Sequence, residues 1–232
     1  MKIIFFSDIH GNRYALEEFF NNNLVSVADQ LIFCGDVFGY YYYQNEILDI
    51  FRRVKKLRCI LGNHDKMFLD IIDGKLNENI LIPKYGNSYK EVAERISREN
   101  IEFLRTFPTN LELEINGIKI GVFHGSPSDL LNGRVYPDTE IVDSENYTKY
   151  DYVILGHTHH KMVKQISNTT ILNPGSLGQQ RDGKGCSFIE LNLNDKTFDF
   201  KTIEYDISGL MKDIDRIDNG KHSLKEVLLR RA

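Results

Sequence analysis

Seven histidines punctuate the chain: His10, His64, His124, His157, His159, His160 and His222. Five of them stand in short polar turns that follow an apolar run. Those turns, with one more that carries an aspartate, read Asp8-Ile9-His10, Gly35-Asp36, Gly62-Asn63-His64-Asp65, His124-Gly125 and Gly156-His157-Thr158-His159. Imidazole nitrogen with carboxylate and amide oxygen, and no thiolate, makes a ligand set for Mn, Fe, Zn, Ni or Co rather than for a structural zinc cage. Asp8, His10, Asp36, Asn63, His124, His157 and His159 together exceed what one ion needs. Two divalent ions sharing one carboxylate match the set, and metals held about 3.5–4 Å apart suit phosphoryl hydrolysis. Alternation along an extended turn would aim Asp8 and His10 at one place, and His157 and His159 likewise.

For these turns to meet, each must sit at the same rim of a sheet. The chain alternates accordingly. Lys2–Phe6, Gln30–Cys34 and Arg58–Leu61 read as strands, with helical spacing over Asn12–Asn22 and Glu46–Val54 between them. Strand, polar turn and helix in alternation predict an α/β sheet with crossover helices, whose ligands lie beyond the carboxyl ends of the strands. Residues 66–108 break this rhythm. Met67–Ile72, Ser88–Ile96 and Arg98–Thr106 read as helices around a loop-like Lys75–Asn87, predicting a helical insertion over one edge of the site. Leu111–Ile115 and Lys119–Phe123 flank Asn116-Gly117, a hairpin signal. Tyr152–Leu155, Met162–Ile166, Thr170–Leu172, Cys186–Leu193 and Phe198–Ile203 predict further strands, and Ile207–Arg231 a helical end interrupted near Asn219-Gly220. A single domain over 1–232, with insertion 66–108 and C-terminal helical segment 207–231, is the expected organisation.

A net charge of -4 gives no global pull towards nucleic acid or anionic membrane. No apolar run approaches the roughly 20 residues of a membrane helix, and the short start into Ser7-Asp8 lacks the features of a signal peptide. Cys34, Cys59 and Cys186 are isolated among apolar residues, so buried thiols are expected, and a cytoplasmic location with them.

The ordered motifs Asp8-x-His10, Gly35-Asp36, Gly62-Asn63-His64-Asp65, His124 and Gly156-His157-x-His159 resemble those of the calcineurin-like metallophosphoesterase superfamily, over residues 3 to about 185. Ser7-Asp8-Ile9-His10-Gly11-Asn12 and Asn173–Arg181 resemble the opening and closing motifs of its small bacterial and archaeal phosphodiesterase-like branch. The resemblance implies a four-layer α-β-β-α sandwich of two mixed sheets. It implies a first metal on Asp8, His10 and His159, a second on Asn63, His124 and His157, and Asp36 as the bridge. His64 would contact the scissile phosphate and assist the leaving group, while a metal-bound hydroxide attacks. Asp65 is expected to orient His64 or to frame its turn. Gly35-Asp36-Val37-Phe38-Gly39-Tyr40 lacks the following Arg of the protein-phosphatase branch, which argues against a phosphoprotein substrate.

Other residues divide between chemistry and packing. His222 has no partner motif and reads as ordinary surface or core, and His160 as solvent-facing or as a support behind the neighbouring ligands. Tyr40–Tyr43 is either packing under the insertion or a stacking wall for a base or aryl group, with Tyr40 nearest the metals. Arg181 and Ser176 are placed at the rim as binders of substrate phosphate or carboxylate, and Lys66, Lys84, Tyr85 and Arg134 as weaker pocket candidates. The expected substrate is a small-molecule or nucleotide phosphoester. A non-catalytic protein-binding scaffold and a nuclease are the competing functions. The complete ligand set with His64 speaks against the first, and the acidic balance and compact length against the second.

Overall fold

The computed structural model describes residues 1–183 and 185–229. Two five-stranded sheets carry the fold, ordered β10-β9-β1-β2-β3 and β4-β5-β6-β8-β7. The first is built from β1 (Lys2–Phe6), β2 (Gln30–Phe33), β3 (Leu57–Cys59), β9 (Cys186–Asn192) and β10 (Thr197–Ile203). Its β1, β2 and β3 run parallel, while β9 and β10 close it antiparallel. The second holds β4 (Asn110–Ile115), β5 (Ile118–Phe123), β6 (Tyr152–Ile154), β7 (Lys161–Ile166) and β8 (Thr169–Pro174), with β5, β6 and β8 parallel. The Asn116-Gly117 turn joins β4 to β5, both residues at positive φ as a tight hairpin demands.

Period-two alternation decides which side chain enters which core. Ile3 and Phe5 of β1 point between the sheets, where they meet Ile32 and Ile60 and, from the second sheet, Ile120, Val122, Ile154 and Leu172. Ile4 and Phe6 point outwards into the helical layer. That layer comprises α1 (Arg13–Asn21), α2 (Asn23–Val27), α3 (Gln44–Arg53), α4 (Asn63–Ile72), α5 (Ile82–Tyr85), α6 (Ser88–Ala93) and α7 (Arg98–Arg105). The outer face of the second sheet, with Phe123, Val153 and Ile171, is covered by Val135, Tyr147 and Tyr150. These belong to a long connection whose regular structure is one 3-10 turn, Ser144–Asn146.

Two helices escape the sequence pattern. The Asn cluster ends α1 as expected and also starts α2: Asn22 accepts a hydrogen bond from Leu24 N and so caps a new turn. The Lys75–Asn87 stretch, expected as loop, contains a 3-10 turn at Glu78–Ile80 and α5, started by Pro83 near its N-terminus. Near the C-terminus α8 (Ser208–Asp218) and α9 (His222–Leu229) are separated by Asn219 and Gly220 at positive φ. Arg230 and Arg231 of the expected segment lie outside the described residues. These two helices enclose Tyr41 and Tyr42 with Leu210, Ile214, Leu224 and Leu228. Tyr41 and Tyr42 therefore pack beneath the C-terminal helices rather than beneath the insertion.

Candidate metal centre

Every parallel strand delivers its polar turn to one end of the molecule. Asp8 and His10 follow β1, Asp36 follows β2, Asn63 and His64 open α4 after β3, His124 follows β5, and His157 and His159 follow β6. Their ligand atoms fall into two principal groups, Asp8 with His10 and His159, and Asp36 with His124 and His157, each within 4.8 Å. Asp36 touches both: its Oδ2 is 3.8 Å from His10 Nε2 and 3.2 Å from His124 Nε2. Asn63 Oδ1 lies 3.0 Å from His124 Nε2. A third grouping joins His10, Asp36 and His64.

The expected convergence holds for Asp8 and His10, which share a group, but not for His157 and His159. Asp8, His10, Asp36, His157 and His159 all have left-handed backbone, with φ of 55, 49, 70, 66 and 60°. His157 and His159 consequently part, one to each principal group. The left-handed turns are held together across the strand ends, since Asp8 N donates to Gly35 O, and Ile9 N and His10 N both donate to Asp36 O.

The hydrogen bonds fit cations. Nδ1 of His10, His124 and His159 lies 2.6, 2.8 and 2.7 Å from the carbonyl oxygens of Phe38, Cys34 and Gln179. A carbonyl only accepts, so each Nδ1 carries hydrogen and each Nε2 is left to face the centre, the usual arrangement behind metal-binding histidine. His10 Nε2 and His159 Nε2 approach to 2.9 Å. Asp8 Oδ1 and Asp36 Oδ2 are buried and have no hydrogen-bond partner. Buried polar oxygens left in this way are costly, and ions placed among these nitrogens and oxygens would satisfy them.

Electrostatics point the same way. Burial alone would raise the Asp8 carboxyl, but His159, His10 and His124 hold it well below its ordinary value. Asp36 is likewise drawn down against burial, by His124, His64 and His10. Burial opposes charge on His124, yet the Asp36 carboxylate beside it and that of Asp8 raise it to about 10. Burial lowers His157 and His159 to about 4, with the neighbouring His124 and the Asp8 carboxylate as the next influences respectively. His64 is pushed well below its ordinary value by burial.

Asp65 frames the turn and does not hold His64. Its carboxylate accepts from the backbone N–H of Gly62, Asp36, Val37 and Phe38 at 2.8–3.1 Å. Burial and the Asp36 charge nevertheless raise it to about 6. A side chain at Gly62 would overlap the Asp36 carboxylate, so only glycine permits this approach.

Above these residues opens a cleft of about 210 Å³. Asp36, Asn63, His64, His157 and His159 line it, with Tyr40, Tyr85 and Tyr136 and the cations Lys84, Arg134 and Arg181 around them. Tyr40 packs its ring 4.7 Å from His10 and receives a 2.8 Å hydrogen bond from Arg181. Arg134 Nε is 3.2 Å from His157 Nε2. Lys66 is instead paired with Asp70 at 2.7 Å and does not line the cleft. Ser176 is buried, its hydroxyl donating to Asp8 O, and serves the turn rather than the rim. His160 is half-buried beside Tyr136 instead of solvent-facing, because its Nδ1 bonds to Thr158 O. His222 is exposed. Tyr136 and Tyr89 were not anticipated: one sits in an irregular connection, the other on a short helix without a motif.

An α-helical layer, two mixed sheets and a histidine–carboxylate centre at their common rim define a metallophosphoesterase-type molecule. The model of the calcineurin-like phosphoesterase superfamily domain matches residues 1–196, and the chain belongs to that superfamily. An uncharacterized protein of Methanocaldococcus jannaschii is 30% identical over 224 residues, covering 87% of this chain and 86% of the relative. A phosphodiesterase of the same organism is 26% identical over 185 residues, covering 75% and 83%. The crystal structure of a metallophosphoesterase from Sphaerobacter thermophilus has the same fold, with a TM-score of 0.80 at 21% identity and all of both chains covered.

Proposed function

We propose that the protein is a two-metal phosphoesterase, most suited to phosphodiesters of small molecules or nucleotides. In this reading Asp8, His10 and His159 hold one divalent ion, Asn63, His124 and His157 the other, and Asp36 both. Such ions supply Lewis-acid activation of water and neutralise charge on the phosphate. The chain's own residues do the rest. Asn63 brings an uncharged ligand next to an anionic substrate. His64 lines the cleft where a leaving oxygen would lie, and Arg134, Lys84 and Arg181 offer cationic hydrogen-bond donors to further anionic oxygens. Tyr40, Tyr85 and Tyr136 give apolar faces against which a base or aryl group packs.

The observation that carries this reading is Asp36. Its Oδ2 is buried, lacks a hydrogen bond and stands between two histidine groups. Its Oδ1 is fixed by His64 N at 2.8 Å. Asp36→Asn keeps that last bond and removes the charge. Wild-type protein loaded in turn with Mn, Zn, Ni and Co should hydrolyse bis-p-nitrophenyl phosphate and bind about two ions. The Asn variant should lose turnover and ions together. Normal turnover and metal content in the variant would refute the shared role.

A further inference from the structure

His64 differs from three other histidines of the centre in what faces its Nδ1. His10, His124 and His159 present Nδ1 to a backbone carbonyl. His64 presents it to the hydroxyl of Tyr89, at 2.7 Å, with both side chains buried. A carbonyl can only accept a hydrogen bond, whereas a phenol can donate one. The carbonyl-facing rings are thus fixed with hydrogen on Nδ1 and an Nε2 free to bind a cation. The ring facing Tyr89 can take the opposite tautomer, with Nδ1 as acceptor and hydrogen on Nε2.

We propose that the Tyr89 hydroxyl donates to His64 Nδ1 and so makes His64 a hydrogen-bond donor to the leaving oxygen rather than a metal ligand. The inference rests on the phosphoesterase reading and deepens it by distinguishing His64 from its neighbours. Tyr89 comes from α6, in the stretch after α4 that carries none of the metal-centre motifs. Its ring lies parallel to that of His64, with centroids 6.2 Å apart and planes 12° apart, and Tyr85 packs edge-on against both. The same hydroxyl lies 3.5 Å from His64 O, too far to compete with the shorter bond.

The chemical consequence is specific. As water bonds to phosphorus and releases a proton to solvent, the scissile P–O bond breaks and its electron pair passes to the leaving oxygen. Nε2–H of His64 hydrogen-bonds that oxygen as its charge develops and keeps its proton. The released alkoxide or phenoxide is then protonated by solvent. Such a bond is worth most where the leaving group is poorest. Tyr89 is a positioning residue, acting through His64.

The test compares wild type, Tyr89→Phe, His64→Asn and the double variant on aryl phosphodiesters whose leaving phenols span a range of acidity. The expected result for Tyr89→Phe is a loss of kcat that grows from about threefold for p-nitrophenol to about thirtyfold for phenol, with metal content unchanged. Adding Tyr89→Phe to His64→Asn should then change nothing further. Equal losses on every ester, or additive losses in the double variant, would overturn the proposal. A second measurement needs neither turnover nor a variant. In zinc-loaded wild-type protein the ¹⁵N shifts of His64 should report hydrogen on Nε2, with His10, His124 and His159 reporting it on Nδ1. Hydrogen on His64 Nδ1 would overturn the proposal even if the protein hydrolyses esters readily. The expected tautomer in a protein inactive on every phosphoester would leave the pairing standing while the phosphoesterase reading fell.

Discussion

If His124 holds a divalent ion as proposed, that ion must displace a proton from it. Its imidazole is raised to about 10 by the carboxylates of Asp36 and Asp8, against the opposing effect of burial. At pH 7 that proton prevails by about three decades, so the ion's apparent affinity is roughly a thousandfold weaker than its intrinsic affinity. This corresponds to about 4 kcal/mol. His157 and His159, lowered to about 4, are already neutral at pH 7 and release nothing. Titrating metal-free protein with Zn by calorimetry at one pH, in buffers of different ionisation enthalpy, counts the protons released. About one per chain is expected, with affinity for the ion held by His124 rising about tenfold per unit between pH 6.5 and 8. Stability follows with a defined sign. A histidine raised by folding contributes stability that is complete below its unfolded value near 6.5 and is lost as pH climbs through about 10. Metal-free protein should therefore weaken across that window, whereas ion-loaded protein should not show this loss. Tight binding without proton release, at an affinity independent of pH, would refute the electrostatic picture of the pair.

Other perturbations read separate parts of the fold. A side chain at Gly178 would overlap the carbonyl oxygen of Ile9, so Gly178→Ala should cost about 1–3 kcal/mol in urea unfolding, by forcing the closing motif away from the Asp8 turn. Asp218 accepts from Tyr42 Oη at 2.6 Å and Asn87 N at 2.8 Å, and so ties the C-terminal helices to the stretch bearing Lys84 and Tyr85. Asp218→Ala should lower stability by about 1–3 kcal/mol and raise KM severalfold, with metal content unchanged. Cys34, Cys59 and Cys186 are buried, so Ellman's reagent should find no thiol until denaturant is added.

Much of the frame could be read from residue order. The apolar runs matched all ten strands of the described residues to within a few positions, because β1, β2 and β6 are largely buried and read as hydrophobic segments while others alternate in burial, as β4 does. The Asn116-Gly117 hairpin followed from turn chemistry alone. The residues of the centre were legible because each polar turn ends a strand. What escaped was tertiary. The α2 turn depends on Asn22 capping a five-residue helix with no periodicity of its own. Lys66 lay beside the centre in sequence yet turns to Asp70, as an i,i+4 pair on a helix surface does. Tyr89 reaches His64 across 25 positions, a pairing that no spacing rule anticipates.

The backbone at the centre shows why alternation failed for His157 and His159. A left-handed conformation at a non-glycine residue costs about 1–3 kcal/mol. Asp8, His10, Asp36, Tyr40, His157 and His159 all adopt one. Summed over these residues the penalty is about 6–18 kcal/mol, as large as the net stability of an ordinary domain. An extended turn would avoid it but would direct His157 and His159 to the same side, leaving one group of ligands short of an imidazole. The strain persists because the surrounding contacts fix each turn. The β1 and β2 turns are zipped together by backbone bonds, Asp65 gathers the N–H groups of the Asp36 turn, and Ser176 and Gly178 bond to Asp8 O. Buried sheets on two sides thus hold a centre that its own dihedral preferences would open.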